Sequence, residues 1–164
     1  MIESDLVERT GQPDSAEFIE PTEVELPVRL RLRSATERGG FVDGGWWPRT
    51  LDLSVELPPV LSALFDTGYA VDRVAHNLTS WPAPPAQLTV NGRLVRLGGF
   101  RNQNRCSITL IDTAHSNAAT VNRLEIVVIA PDTEPAVAER ALRLAGQDGY
   151  RFRAAEILQQ ARLR

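Results

Sequence analysis

Gln87-Leu88-Thr89-Val90-Asn91-Gly92-Arg93-Leu94-Val95-Arg96-Leu97 is the stretch that decides the fold. Two runs rich in β-branched and aliphatic residues flank Asn-Gly. That dipeptide suits a two-residue type I′ turn, because both central positions need positive φ. A β-hairpin is therefore expected in the middle of the chain. Two more runs follow, Ser107 to Asp112 and Leu124 to Ala130, both rich in Ile, Val and Thr. They read as strands joined through the polar stretch Thr113–Asn122.

Upstream, Ala70 to Leu78 reads as a strand that ends at Ser80-Trp81-Pro82. Leu26 to Arg33 alternates Val28, Leu30 and Leu32 with Arg29, Arg31 and Arg33, which predicts a half-buried strand with an arginine face. Between these lies Leu51 to Phe65. Leu51, Leu53, Val55 and Leu57 alternate like a strand, yet Thr50 can cap a helix with Asp52 in its first turn. The helical reading is preferred, with Pro58-Pro59 expected to end one helix or open a second. Downstream, Asp132 or Thr133 can cap a helix that tolerates Pro135 near its start and stops at Gly146. Val137, Ala138, Ala141, Leu142 and Ala145 form its apolar stripe. A last helix is expected over about Arg153 to Leu163.

Strands clustered in the centre with helices at the side predict an α+β fold. The expected form is a mainly antiparallel sheet of about five to six strands, with helices packed on one side. The 164 residues suit one domain. Residues 1–24 are polar, acidic and aperiodic and read as a mobile arm, leaving 25–164 as the folded unit. The charge is divided accordingly. Residues 1–25 hold eight acids and one base, a net of −7; the rest holds 13 acids and 17 bases, a net of +4, against −3 for the whole chain. Every basic residue is Arg.

Several classes are excluded or demoted by composition. No apolar run approaches the ~20 residues of a membrane span. The N-terminus has no apolar secretory core. One cysteine, Cys106, allows no internal disulfide and no paired-cysteine zinc cage. A reducing, cytoplasmic setting is expected. His76, His115, Cys106 and Asp112 do not stand at paired ligand spacing, so neither a metal nor a cofactor is expected. No Walker-type or dinucleotide glycine spacing is present.

Three segments carry candidate chemistry. The first, Gly39–Arg49, is glycine-rich and reads as a loop bearing Asp43, Trp46, Trp47 and Arg49. Either its indoles plug the end of the core, or they present surface to a ligand. The second, Asn77-Leu78-Thr79-Ser80-Trp81, sets an amide, hydroxyls and an indole at a strand end. The third, Arg96 to Arg105, mixes Phe100 and Arg101 with amides and further arginines, a set suited to phosphate contact and base stacking.

At Gly44-Gly45-Trp46-Trp47-Pro48-Arg49, Asn77-Leu78-Thr79-Ser80-Trp81 and Arg96-Leu97-Gly98-Gly99-Phe100 the chain resembles an uncharacterised actinobacterial domain family of unknown function. The likeness runs from about Leu30 to Ala145, leaving the acidic arm and the last helix outside. It implies no activity, but suggests that the three segments belong to one recurring design.

The expected function is a non-catalytic binding module for a small molecule or a protein partner. Trp46, Trp47, Trp81 and Phe100 would form an apolar floor, with Asp43, Arg49, Asn77, Ser80 and Arg101 supplying polar selectivity. The alternative is a small hydrolase-like enzyme using Asp43 with His76 or Cys106, which requires those groups within hydrogen-bond reach. Nucleic acid ranks behind both partner classes, because the body's positive excess is small and the arm opposes it.

Overall fold

The computed structural model describes residues 26–35, 38 and 41–163; the acidic arm lies outside them. Ten elements follow in order: β1 (Leu30–Leu32), β2 (Gly44–Trp46), α1 (Leu53–Asp66), β3 (Arg73–Asn77), β4 (Gln87–Val90), β5 (Arg93–Phe100), β6 (Ser107–Asp112), β7 (Asn122–Val128), α2 (Pro135–Ala145) and α3 (Ala154–Arg162). The strands form one seven-stranded sheet in the order β1-β2-β7-β6-β3-β5-β4.

The hairpin forms as the sequence requires. Asn91 has φ 51° and Gly92 φ 75°, the two positive values of a type I′ turn. Val90 and Arg93 face each other beside it, and the Asn91 side-chain amide donates to Ser62 Oγ at 3.0 Å, tying the turn to α1.

Leu53–Asp66 is a single helix, so the strand-like alternation at its start is incidental. Asp52, not Thr50, is the cap: its carboxylate accepts the Ser54 N–H at 3.0 Å. Thr50 instead accepts the Asp52 N–H and donates to Glu56. Pro58 and Pro59 lie inside the helix rather than breaking it. They remove the bonds that would reach the carbonyls of Ser54 and Val55, both exposed residues in the first turn of the helix. Leu53, Leu57, Val60, Leu61 and Leu64 recur at helical spacing and are all buried.

The sheet differs from the expectation in three ways. It has seven strands. It is mixed: β2–β7 and β3–β5 are parallel, the other four pairs antiparallel. The helices cover both faces. On one face α1 packs on Trp46, Val74, Val95, Ile108, Leu110, Leu124 and Ile126. On the other, α2 and α3 pack through Ala138, Ala141, Ala145, Ala154, Ile157 and Ala161 on Val127, Ile129 and Trp47. The seventh strand and the parallel pair at β7 have one cause. The segment read as a glycine-rich loop contains β2, which enters beside β7 and gives α2 a second surface to cover.

The arginine face of the first strand forms, with Leu30 and Leu32 on the α1 side and Arg31 exposed on the other, but it is partly covered. Arg33 is buried and its Nε donates to the Ala145 carbonyl at 3.1 Å. Arg29 caps the end of the sheet, with its guanidinium 3.6 Å from the Trp47 ring centroid and bonds to the carbonyls of Trp47 and Pro48. These side chains fasten β1 to α2 and to the segment after β2.

At the far end of β6, Asp112 is fully buried. Its carboxylate accepts the Ala70 N–H, the His115 N–H and the His115 ring Nδ1. Burial pushes its pKa up, but the bonds from the His115 side chain and the two backbone N–H groups outweigh burial and hold it below its ordinary value. A depressed carboxylate stabilises the fold above its unfolded pKa and loses that contribution as pH falls through the folded pKa. Asp112→Ala is therefore expected to cost about 1.5–3 kcal/mol at neutral pH, the range for a hydrogen bond to a charged group. Urea melts should show the gap from the native chain narrowing in acid, below the ordinary carboxylate range. A gap that stays constant down to strongly acid pH would refute this account.

Candidate functional site

The α2–α3 layer covers only the β1-β2-β7 side of its face. Where it stops, a cavity of about 640 Å³ opens against the sheet. Strand register sets its floor. Because Gly44 pairs with Ile126 in parallel, Asp43 stands next to Glu125. Because Thr109 pairs with Glu125 and Ser107 with Val127, both hydroxyls point to the same face. Side-chain bonds then fix the group. Ser107 and Thr109 each donate to one oxygen of the Glu125 carboxylate, Thr109 at 2.6 Å. Gln103 Nε2 donates to Thr109 Oγ1 at 2.9 Å. Asp43 Oδ2 accepts the Glu125 N–H at 2.8 Å, while the Asp43 N–H donates to the Glu125 carbonyl at 2.7 Å.

The walls are different in kind. Arg123 stands two residues along β7 on the same face, and Arg153 precedes α3 with its guanidinium 5.3 Å from the Phe41 ring centroid. Asn102 and Asn104 line the rim from the turn after β5. The site thus offers carboxylates and hydroxyls below and guanidiniums and amides above. It can accept hydrogen bonds from hydroxyl, amine or guanidine groups and can donate to an anionic end.

The other expected site residues are dispersed. Trp46 and Trp81 are 2% and 4% exposed and stack on each other in the core under α1, with ring centroids 5.7 Å apart. Trp47 belongs to the cluster under α2, on the opposite face. Phe100 is 52% exposed on a part of the sheet that no helix among the described residues covers. Arg49 donates to the Pro27 carbonyl at 3.0 Å. Asn77 is buried and ends β3, donating to the Gln103 carbonyl and accepting from Thr79 N and Oγ1. Ser80 donates to the Arg105 carbonyl, and Arg101 is exposed in the turn after β5. The shared aromatic hollow is therefore not formed. Of the expected set, Asp43 alone lines the polar cavity.

The expected catalytic pairing is not assembled either. His76 is buried two residues after Val74 on the α1 face, with Nδ1 3.1 Å from the Asn77 carbonyl oxygen. Asp43 lines the cavity on the other face. Cys106 is half-buried and lines a separate hollow with Ser80 and Trp81. The carboxylate beside Asp43 is Glu125, which the sequence reading missed. A signal for it exists: Ser107 and Thr109 alternate with Ile108 and Leu110, and Arg123 and Glu125 alternate with Leu124 and Ile126. Two neighbouring strands each carry a polar face where the core pattern alone needs none.

The fold and cavity define an α+β domain built on one mixed sheet, with a polar site where its helical cover ends. The chain belongs to DUF5994, a family of unknown function, which it matches over residues 29–145. That span covers all seven strands, α1 and α2; α3 and Arg153 lie beyond it. No curated protein and no solved structure matches the chain. Among the described residues, no helix is long and apolar enough to cross a membrane.

Proposed function

We propose that this domain is a non-catalytic binding module, and that its ligand site is the cavity lined by Asp43, Ser107, Thr109 and Glu125. The ligand is a small polar molecule that carries several hydrogen-bond donors, such as a polyol, an amine or an amino acid. The observation that supports this reading is the pair of carboxylates set side by side by adjacent parallel strands, with two hydroxyls orienting one of them. Such fixed acceptors are placed before any ligand arrives, which lowers the ordering cost of binding. Neither His nor Cys stands among the lining residues, and binding alone uses every group present.

The test is a thermal-shift and calorimetry panel of polyols, sugars, amines and amino acids. A ligand at about 100 times its Kd should stabilise the fold by about 2.7 kcal/mol. Glu125→Gln keeps the shape and removes the charge. It should weaken the same ligand about 10- to 150-fold, the loss of one charged hydrogen bond. If no compound class shifts the melting temperature, or if Glu125→Gln binds the ligand as well as the native chain, the reading fails.

A further inference from the structure

Beyond the cavity, no helix among the described residues covers the β6-β3-β5-β4 part of the same sheet face. Strand register lines up its side chains. Arg123 pairs with Ile111, Ile111 with Arg73, Arg73 with Arg96, and Arg96 with Gln87. Directly paired residues share a face, so Arg123, Arg73 and Arg96 form one transverse row. All three are exposed. Among the described residues no acid pairs with them, and the nearby Asp72 carboxylate is occupied by the Thr113 N–H and hydroxyl. Arg73 and Arg96 even stand directly opposite each other, and like charges so placed are destabilising.

Two residues along the strands from this row, at the next pair on the same face, the sheet surface is nearly bare, because Ala75 faces Gly98. A Cβ on Gly98 would lie 3.1 Å from the Phe100 ring, so that ring leans back over the glycine. Arg73, Arg96, Ile111 and Phe100 surround the resulting hollow of about 290 Å³. Its aromatic wall is half exposed, and guanidiniums stand on the opposite side. An unneutralised row of guanidiniums calls for anions, and an exposed ring over a flat floor calls for a planar partner. The row crosses three strand spacings, roughly 14 Å at ~4.8 Å each, which exceeds a single phosphate and suits several along an extended chain.

We infer that this open face binds single-stranded nucleic acid. Arg123, Arg73 and Arg96 contact successive phosphates, and a base stacks on Phe100 above Ala75 and Gly98. Carboxylates bound the surface at Glu125, so the strand runs from Arg123, at the wall of the polar cavity, over the β3–β5 side. The inference shares Arg123 with the cavity wall, but Arg73, Arg96 and Phe100 lie outside the cavity, so variants there test it separately from the cavity's ligand.

The full chain should be titrated against a labelled single-stranded oligonucleotide of about 15 nucleotides by fluorescence anisotropy at low salt. Binding should weaken with salt at a log–log slope of about −2, as three phosphate contacts to a single strand require. Phe100→Ala should weaken binding roughly 5- to 150-fold, and Phe100→Tyr should restore it. Arg73→Ala and Arg96→Ala should each reduce the slope by about 0.7. Arg143→Ala, exposed on α2, should leave binding unchanged. No binding at low salt overturns the inference. So does equal affinity for a duplex with no effect of Phe100→Ala, which would mean unspecific charge attraction. A free mononucleotide that binds as tightly as the oligonucleotide overturns it in favour of a small-ligand site.

Discussion

Replacing Trp46 with alanine is expected to remove about 3–5 kcal/mol of unfolding free energy, the range for deleting a buried aromatic side chain. Trp46 is 2% exposed and sits among Leu53, Leu57, Leu124 and Ile126 under α1. It also stacks on Trp81, with ring planes 19° apart, an arrangement that contributes about 0.5–1.5 kcal/mol beyond burial. Against a typical total of about 5–15 kcal/mol, such a loss leaves little stability in reserve. Trp81→Ala should come close to the same value. The double variant should lose less than the sum, because the first deletion already ends the stack. Urea unfolding followed by far-UV circular dichroism measures all three. An indole on a ligand surface would behave differently, since exposed positions change stability by only about ±0.5 kcal/mol. A loss below 1 kcal/mol for Trp46→Ala would remove Trp46 from the core and reopen the aromatic hollow expected from the sequence.

What could be read in advance follows the range of the interactions involved. The Asn91-Gly92 hairpin, the β6 run and the α2 and α3 stripes are encoded over neighbouring residues, and their positions hold to within a few residues. Helix α1 was legible as a helix but not as one piece, because Pro58-Pro59 reads as a breaker, whereas inside this helix the carbonyls it leaves without partners belong to the exposed residues Ser54 and Val55. Strand β2 was not legible. Gly-Gly-Trp is three residues long, has no alternation to count, and owes its place to β1 on one side and β7 on the other. That omission propagated. Without β2 there is no parallel pair at β7, no reason for α2 to lie opposite α1, and no neighbour to set Asp43 beside Glu125. Asp43 was named for its glycine-rich surroundings, whereas its partners were distributed over β6, β7 and the turn after β5. The tryptophans misled for the opposite reason. Their local words are distinctive, but a distinctive word does not say which face of a short strand a ring occupies.

The two glycines of β2 should respond to alanine in different ways, and the difference tests the three-layer packing. At Gly44 a Cβ would run into the Arg31 carbonyl oxygen, an atom of the backbone of β1. Relief requires the β1–β2 pairing to open, so Gly44→Ala should lose about 3 kcal/mol, the upper part of the overpacking range. At Gly45 the Cβ would meet the Ala145 Cβ at 2.8 Å and the Leu142 Cδ2 at 3.6 Å, both on α2. Gly45→Ala alone should therefore push α2 away from the sheet and lose about 2–3 kcal/mol. Here the obstructing atom is a side-chain carbon that can be removed. Ala145→Gly alone should lose about 1 kcal/mol through helix propensity, besides the packing of one buried methyl. Combining the two should recover stability relative to the sum of the single losses, by about 1–2 kcal/mol, as expected for residues in direct contact. No second-site change of a side chain should rescue Gly44→Ala, since its obstacle is main chain. If the double variant shows strict additivity, Ala145 does not lie against Gly45. The placement of α2 over β2, and with it the edge of the helical layer that opens the Asp43–Glu125 cavity, would then be wrong.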